Sequence, residues 1–258
     1  MSTDPVVIVA ARRTPIGAFQ GVLSDVSATQ LGAAAVQAAV ADSGVDPADV
    51  QRVLMGCVLP AGLGQAPARQ AALGAGLPKG VPCATVNKMC GSGMEALVLA
   101  HDMIVAGSVG IAVAGGLESM TNAPYLMPKA RRGYRMGHQE VLDHMFWDGL
   151  QDTYEGHMMG HYAEATSQKY GFTREDQDAF AIESVTRATR AAGDGSFDAE
   201  IVPVTVTTRK GEHTVSVDEV PGTVSVDKIP NLRPAFAKDG TVTAASSSSI
   251  SDGAAALM

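Results

Sequence analysis

The stretch Thr85-Val-Asn-Lys-Met-Cys-Gly-Ser-Gly-Met-Glu-Ala96 contains the side chain best suited to covalent chemistry, the thiol of Cys90. The pattern predicts a strand that turns sharply into a helix, with Cys90 at the junction. Peptide N–H groups at a helix start carry partial positive charge, which favours thiolate over thiol. The same groups can hold an oxyanion, and the glycines let a substrate approach closely. The arrangement is therefore typical of a nucleophile.

Two other interpretations of this stretch stay open. Cys90 can be one more buried small hydrophobic residue, as most free cysteines are. Gly91-Ser-Gly93-Met-Glu-Ala96 also matches the G-x-G-x-x-A pattern of dinucleotide binding. Against a nicotinamide-dependent oxidoreductase, the motif follows the third predicted strand, and Glu118 comes too late to be the acid expected about 20 residues further on.

Alternating strand and helix patterns must position this junction. Residues 6–11 form a continuous apolar run, which predicts a strand buried on both faces of a sheet. Residues 27–41 predict a helix that begins with a capping box of Ser27 and Gln30 and ends at Gly44. The other predicted elements are strands at 50–58, 83–89 and 109–114 and helices at 66–76 and 93–106. The alternation predicts an α/β fold with a mostly parallel or mixed central sheet.

The composition changes at about Glu118, where Gly and Pro signals and long side chains replace the compact runs. We therefore expect an inserted α+β loop domain at 118–240, between the two parts of one α/β domain at 1–117 and 241–258. Within the insertion, a helix is predicted from Thr173 to Gly193, and a strand pair at 201–208 and 212–217. Because the sequence stops within an apolar run, we expect a fragment or a unit that another polypeptide completes.

The bulk composition argues against several classes of protein. The chain has 258 residues, 46% apolar, with a net charge of -8 that would repel nucleic acid. No window approaches the roughly 18 apolar residues of a membrane span, and the start lacks a secretory signal. Cys57, Cys83 and Cys90 are unclustered, which fits a reducing compartment, and no Cys or His spacing indicates a metal site. We expect a cytoplasmic protein without nucleic-acid, membrane or metal binding.

Several motifs resemble those of one known family. Asn87-Lys-Met-Cys-Gly-Ser-Gly93 resembles the thiolase signature around the acyl-accepting cysteine, and Val9-Ala-Ala-Arg-Arg-Thr-Pro-Ile-Gly17 is similar to that family's first strand and turn. Further matches follow in family order: Ala114-Gly-Gly-Leu-Glu-Ser-Met120, Met159-Gly, Ala163-Glu, Arg174-Glu-Asp-Gln-Asp-Ala-Phe180, Leu232-Arg-Pro-Ala-Phe236, Gly240-Thr-Val-Thr-Ala244 and Ser251-Asp-Gly-Ala254. The sequence therefore resembles thiolases of the acetyl-CoA acetyltransferase type over nearly its whole length.

This resemblance implies the thiolase layered α/β fold and an acyltransferase that uses coenzyme A or acetyl-CoA as substrate, without a covalently bound cofactor. Cys90 would accept an acyl group from acetyl-CoA or a 3-ketoacyl-CoA, and a CoA thiol or an acetyl-CoA carbanion would then attack the thioester. Relatives of this kind form homo-oligomers, so a dimer or tetramer is expected. The positions expected along CoA are Leu150, His157, Met159, Leu232, Ala235, Phe236, Ala244, Ser248 and Ile250.

These positions also have ordinary interpretations. A pantetheine arm is long and mostly apolar, so apolar walls with one serine hydroxyl suit it. Leu150, Met159, Leu232 and Phe236 can equally be core residues, and the serine run around Ser248 can be a loop or a helix cap.

The chain departs from the family pattern at three places. Met158 stands where many thiolases have a histidine before Met-Gly, and His157 lies one position earlier. Pro221 falls where some members have an arginine for the CoA phosphates. The basic run 129–135 can substitute for it, but in relatives this region helps subunits to pack, so contacts between subunits are its expected use. The Cys-x-Gly and Gly-His-Pro motifs of the family's second cysteine and histidine do not occur. We therefore expect a missing C-terminal half or partner chain, and no condensation by this chain alone.

Three other functions remain as alternatives. One is a non-catalytic module that binds CoA or lipid and keeps the fold. The second is the nicotinamide-dependent oxidoreductase, and the third is a 3-ketoacyl synthase, a relative that also uses a cysteine but takes acyl groups from a carrier protein.

Overall fold

A computed structural model describes residues 6–258, which form two compact units. The first unit consists of 6–123, Asp198–Val217 and Ser251–Met258, and the second consists of Pro124–Phe197 and Asp218–Ile250. These bounds differ from the predicted domains, because 198–217 lies in the first unit and 241–250 in the second. Backbone hydrogen bonds explain the first difference: the Arg13 N–H donates to the Glu200 carbonyl over 2.9 Å, and the Val202 N–H donates to the Arg13 carbonyl over 2.8 Å.

Ten strands and five α-helices make up the described chain. The strands are β1 (Ala11–Arg13), β2 (Gly17–Ala18), β3 (Arg52–Gly56), β4 (Cys83–Val86), β5 (Ala112–Ser119), β6 (Tyr125–Leu126), β7 (Leu142–Asp143), β8 (Val204–Thr208), β9 (Gly211–Val215) and β10 (Ser251–Leu257). The helices are α1 (Ala28–Ser43), α2 (Pro67–Gly74), α3 (Ser92–Val105), α4 (Met159–Tyr170) and α5 (Arg174–Gly193). The predicted α/β class is confirmed.

The central sheet of the first unit is mixed. Its strand order is β1-β10-β5-β3-β4, with β2 also paired to β10. Strand β3 runs parallel to β4 and β5, whereas β10 runs antiparallel to β1, β2 and β5. Because β4, β3 and β5 are parallel, their carboxyl ends lie at the same edge of the sheet, where α/β proteins commonly bind ligands.

Alternating side chains of the strands build a core on each face of this sheet. On β3, Val53 and Met55 pack into the core that contains α1 and α2, whereas Leu54 packs into the core that contains α3. On the α3 side, alanines meet alanines across the interface: Ala96 and Ala100 of the helix share this core with Ala112 and Ala114 of β5. These small side chains allow α3 to lie close to the strands.

The predicted helix caps are confirmed. Ser27 accepts a hydrogen bond from the Gln30 N–H and completes the capping box of α1, and Gly44 ends the helix in the left-handed conformation with φ 69°. Thr173 and Asp176 form a second capping box at the start of α5, and this helix includes Gly193 as its last residue. The predicted strand pair is the antiparallel hairpin β8–β9.

The prediction of a buried strand at 6–11 is wrong. The strand begins only at Ala11, and Val7, Ile8 and Val9 are 64%, 57% and 52% exposed. The run lies along one side of β10, where the Val9 N–H donates to the Met258 carbonyl over 2.7 Å. It lines a cavity of about 320 Å³ together with apolar side chains of α3, including Val98. The apolar side chains of the run do form an apolar surface, as the composition indicates. Within the described residues, however, no other element covers this surface.

The second unit combines α4 and α5 with the short antiparallel strand pair β6–β7. A π-helical turn, Met145–Leu150, precedes α4. No helix within residues 6–258 is long and apolar enough to cross a membrane.

Candidate functional site

Cys90 lies in the turn between the end of β4 and the start of α3, and its side chain is exposed. The helix begins at Ser92, with Gly91 as the preceding N-cap residue. This is the strand-to-helix junction that the sequence predicts. The interpretation of Cys90 as a buried hydrophobic residue is wrong, because the thiol faces the surface beside the positively polarised start of a 14-residue helix.

The turn that carries Cys90 contains a strained residue. Met89 has a φ of 49°, in the left-handed region that non-glycine residues adopt only at a cost of roughly 1 kcal/mol. Three hydrogen bonds hold it there: the Met89 N–H donates to Asn87 Oδ1 over 2.9 Å, Ser92 Oγ donates to the Met89 carbonyl over 2.5 Å, and the Lys88 N–H donates to Ser92 Oγ over 2.9 Å. The position of Cys90 is therefore fixed by its neighbours on both sides.

Glycines let the start of α3 lie directly on the ends of two strands. A Cβ added to Gly56, the last residue of β3, would overlap the backbone of Ser92. On β5, a Cβ added to Gly116 would lie 3.4 Å from the Cα of Gly93. A side chain at Gly56 would push the helix start away from the sheet edge, whereas at Gly116 a Cβ would only make van der Waals contact, so Gly56 is the glycine that the place of the Cys90 turn requires.

The other two thiols have different surroundings. Cys57 is buried directly after β3, and burial together with the adjacent Glu118 carboxylate raises its pKa to about 12. Its Sγ lies 3.5 Å from Glu118 Oε1. Cys83 is half-buried at the start of β4, and burial raises its pKa as well. Both thiols are therefore protonated at neutral pH, whereas the thiolate is the reactive form of cysteine.

Three of the predicted CoA-binding residues lie around one turn of the second unit. Gln151 and Met158 form an isolated antiparallel bridge, so that Leu150 and Met159 flank its two ends. Inside the bridge, the Asp152 N–H donates to the His157 carbonyl over 2.7 Å. The imidazole of His157 is exposed and stacks on His161 with 4.0 Å between ring centroids. Leu150, His157 and Met159 are thus brought into one local structure.

Phe236 joins the same part of the second unit. Its ring packs on Gly160, the second residue of α4, closely enough that a Cβ on this glycine would overlap the ring. Phe236 is 43% exposed and the preceding Met159 is 45% exposed. The two side chains are therefore surface residues and not the core residues that the sequence left open as an alternative. Leu150 and Leu232 are half-buried.

Two charged side chains hold the backbone near Leu232, Ala235 and Ala244. Glu164 of α4 accepts the N–H groups of Thr241 and Val242, each over 2.9 Å. The Val242 carbonyl in turn accepts the Ala235 N–H over 2.9 Å, which connects the segment around Ala235 to the segment that leads into Ala244. Arg174 of α5 donates to the Leu232 carbonyl over 2.8 Å. Ala244 and Ser248 are exposed and Ile250 is half-buried.

Cys90 belongs to the first unit and the nine predicted CoA-binding residues belong to the second. The structure groups Leu150, His157, Met159 and Phe236 within the second unit, and Ala235 is tied through Val242 to the Ala244 segment. Their role in binding CoA stays a prediction.

Sequence reasoning missed several residues that hold the backbone around predicted site residues within each unit. Ser92, Glu118, Glu164 and Arg174 all occur inside the motifs matched to the family, and this was the only signal available for them. Ser92 bonds to backbone groups only three and four residues away. Glu118, Glu164 and Arg174 have partners far away in sequence, such as Val58 for Glu118 and Leu232 for Arg174. No local pattern encodes such pairs.

Pro221, which departs from the family pattern, is half-buried, whereas the basic side chains offered in its place are exposed. Pro221 opens a short 3₁₀ turn, and its carbonyl accepts a hydrogen bond from Thr189 Oγ1 of α5 over 3.1 Å. Arg131 and Arg132 lie in another 3₁₀ turn, Ala130–Arg132, and are exposed. Their use for CoA phosphates stays a prediction.

A thiol at a strand-to-helix corner, above the carboxyl ends of parallel strands in a mixed sheet, defines an α/β protein with a structure suited to nucleophilic chemistry by cysteine. The chain belongs to the thiolase family, because residues 6–258 match the family model described as "Thiolase, N-terminal domain".

Curated relatives agree with this family. Proteins of Staphylococcus aureus strains COL, NCTC 8325 / PS 47 and MRSA252, each named "Probable acetyl-CoA acyltransferase", are 49% identical to the chain over 255 residues. The matched region covers 98% of this chain and 65% of each relative. The chain thus spans slightly less than two thirds of the length of these relatives.

Proposed function

We propose that this chain carries the acyl-accepting cysteine of an acetyl-CoA acyltransferase and that Cys90 is this cysteine. The observation that carries the proposal is the geometry of the corner: an exposed thiol in a turn whose backbone is held by Asn87 and Ser92, at the start of α3. The family and the names of the relatives support acyl transfer with acetyl-CoA as the reaction.

The proposed step is a thioester exchange. The Cys90 thiolate, having lost its proton to solvent, attacks the acetyl carbonyl of acetyl-CoA and forms a new C–S bond. The bond to the CoA sulfur breaks, and CoA leaves as a thiolate that takes a proton from solvent. Peptide N–H groups near the helix start are suited to stabilise the oxyanion that forms on the carbonyl oxygen. The product is an acetyl thioester on Cys90 and free CoA.

We further propose that the second unit binds the CoA moiety. Exposed apolar side chains such as Met159 and Phe236 suit the pantetheine arm, and Ser248 offers a hydroxyl for a hydrogen bond. The basic turn at Ala130–Arg132 is the proposed source of positive charge for phosphate, since Pro221 has no charge to offer.

In the second half of the reaction, the acyl thioester is attacked, and this step needs a base. The family motifs that carry the second cysteine and the histidine do not occur in this sequence. We propose that further polypeptide supplies this base and packs on the apolar face of α3, where Met94 and Val98 are 73% and 47% exposed. Val98 also lines a cavity together with Val7 and Ile8. An apolar surface of this kind marks a contact with other protein. Association of several copies into a dimer or tetramer, and a cytoplasmic location, remain proposals that rest on family resemblance and composition.

Intact mass after incubation with acetyl-CoA tests the acyl-transfer proposal. We expect the mass to rise by one acetyl group in the wild-type chain and in Cys57→Ala, and to stay unchanged in Cys90→Ala. The donor is offered without any carrier protein, so that acetylation also argues against a 3-ketoacyl synthase. Equal acetylation of wild type and Cys90→Ala, or acetylation of neither, would refute the proposal for this chain.

A further inference from the structure

Glu118 forms an unusual set of contacts at the carboxyl edge of the sheet. It lies near the end of β5, two residues beyond Gly116, the last residue of this strand that pairs with β3. There its carboxylate accepts the Val58 N–H at Oε2 over 2.7 Å and the Leu59 N–H at Oε1 over 3.1 Å. These N–H groups follow the end of β3, where the strand has left the ladder and its backbone needs other acceptors.

The loop held by Glu118 is connected to the Cys90 turn by two contacts. The Cys57 N–H donates to the Val86 carbonyl over 2.9 Å, at the last residue of β4. The Asn87 side chain reaches the Val58 carbonyl with its Nδ2, over a longer 3.5 Å. On its other side, Asn87 Oδ1 accepts the N–H of Met89, the strained residue that directly precedes Cys90.

We propose that Glu118 is a positioning residue for the Cys90 nucleophile, acting through the 57–59 loop and Asn87 on the strained backbone of Met89. This inference rests on the proposed function of Cys90. A carboxylate suits this position because both of its oxygens accept N–H groups at once, and an amide has only one acceptor oxygen. If the 57–59 loop shifts, Asn87 loses its support and the Met89 turn can relax to another conformation, which moves the sulfur.

Two reactions of Cys90 distinguish correct placement of its sulfur from mere accessibility of the thiol. With p-nitrophenyl acetate, the Cys90 thiolate attacks the carbonyl carbon, the ester C–O bond breaks, and p-nitrophenolate leaves with the electron pair. This acetylation needs the sulfur correctly placed relative to the N–H groups that stabilise the oxyanion. Alkylation by iodoacetamide needs only an accessible thiolate. The ratio of the two rates at Cys90, resolved by peptide mass, therefore measures the arrangement of the turn without any contribution from CoA binding.

For Glu118→Gln we expect this ratio to fall at least about tenfold, because misplacement of a reacting group by about 1 Å can cost about 100-fold in rate. The alkylation rate of Cys90 should stay within about twofold of wild type, since the thiol is already exposed. The matched control is Gln51→Ala, which removes a similar bond from a side chain to a loop: Gln51 Oε1 accepts the Gly110 N–H over 2.5 Å, before β3 and β5 begin. This control should leave the ratio unchanged.

Two variants of Asn87 test the contact between the 57–59 loop and the Met89 turn. They replace Glu118→Gln if that variant does not fold, because Asn87 is exposed and its substitution should be tolerated. Asn87→Ala should lower the ratio as Glu118→Gln does. Asn87→Asp keeps an acceptor for the Met89 N–H but has no donor for the Val58 carbonyl, so it should lower the ratio as well, because the 57–59 loop acts through this bond. An unchanged ratio in Glu118→Gln, or in Asn87→Ala where only that variant folds, would overturn the inference. So would an equal loss of acetylation and alkylation, or wild-type acetylation of Cys90 no faster than that of Cys83.

Failure of the proposed function gives a different result. If acetyl-CoA leaves wild-type Cys90 unmodified while p-nitrophenyl acetate modifies it in a Glu118-dependent manner, the positioning inference holds and the CoA proposal for this chain fails.

Discussion

Cys57 and Cys90 follow the carboxyl ends of two neighbouring parallel strands, β3 and β4, yet their surroundings are opposite. Cys57 is buried against the Glu118 carboxylate, and its pKa is raised to about 12. Cys90 is exposed, two residues before the start of α3. The end of a strand places a thiol at the edge of the sheet where ligands bind, but the next few residues decide whether the thiol can react.

The Glu118 carboxylate links the two regions, although only one of them is proposed to do chemistry. Burial and the Glu118 carboxylate raise the pKa of Cys57, and the same carboxylate accepts the N–H groups of Val58 and Leu59. The same carboxylate therefore disfavours ionisation of one thiol and holds the loop that contacts the turn of the other. Three changes should break or sharpen this contrast, and they follow in order of decreasing effect.

Gly56→Ala should have the largest effect, because Gly56 lies where the end of β3 meets the start of α3. The added methyl group would overlap the backbone of Ser92, which cannot move without shifting the helix. We expect a loss of about 3 kcal/mol in the free energy of unfolding, measured by urea denaturation. Gly80→Ala is the matched control, since nothing lies within 4 Å of the added methyl group there. A loss at Gly56 no larger than at Gly80 would show that the close contact is not required.

High pH should destabilise the chain through Cys57. Its folded pKa of about 12 lies above the ordinary value of 9.0, so between these values the folded chain holds a proton that the unfolded chain releases. The stability is therefore complete below about pH 9 and falls as the pH rises, by about 1–2 kcal/mol at roughly pH 10.5.

Urea denaturation of wild type and Cys57→Ala across this pH range checks the prediction. The variant should lose less stability between about pH 8 and pH 10.5 than wild type does. If the free energies of unfolding of the two proteins fell in parallel with pH, the pKa of Cys57 would not be raised in the folded chain.

Met89 should give the smallest effect, through the strain in the Cys90 turn. Glycine tolerates its φ of 49° and alanine does not, so Met89→Gly should be more stable than Met89→Ala by about 1 kcal/mol. The same pair of substitutions at Met94, an exposed residue within α3, should give the opposite order by a similar amount of about 1 kcal/mol. If alanine is the better residue at both positions, the turn is not strained at Met89.

The sequence predicted the fold class and the place of Cys90 because both depend on local patterns. Apolar runs and capping residues such as Ser27 and Thr173 act over a few residues, and the strand-to-helix junction at Cys90 was visible in one stretch of twelve. The exposed run at 6–11 was misread, since an apolar pattern does not show which surface covers it. Glu118 and Glu164 were missed as supports because their partners, at Val58 and Val242, lie about 60 and 78 residues away.

The most direct test of the central claim is the rate at which iodoacetamide labels each cysteine, resolved by peptide mass, with and without acetyl-CoA. We predict that Cys90 reacts at least about 100-fold faster than Cys57 near neutral pH, because a protonated buried thiol is a poor nucleophile. Acetyl-CoA should protect Cys90 and leave the rates of Cys57 and Cys83 unchanged. Equal rates for the three cysteines, or no protection of Cys90 by acetyl-CoA, would contradict the account.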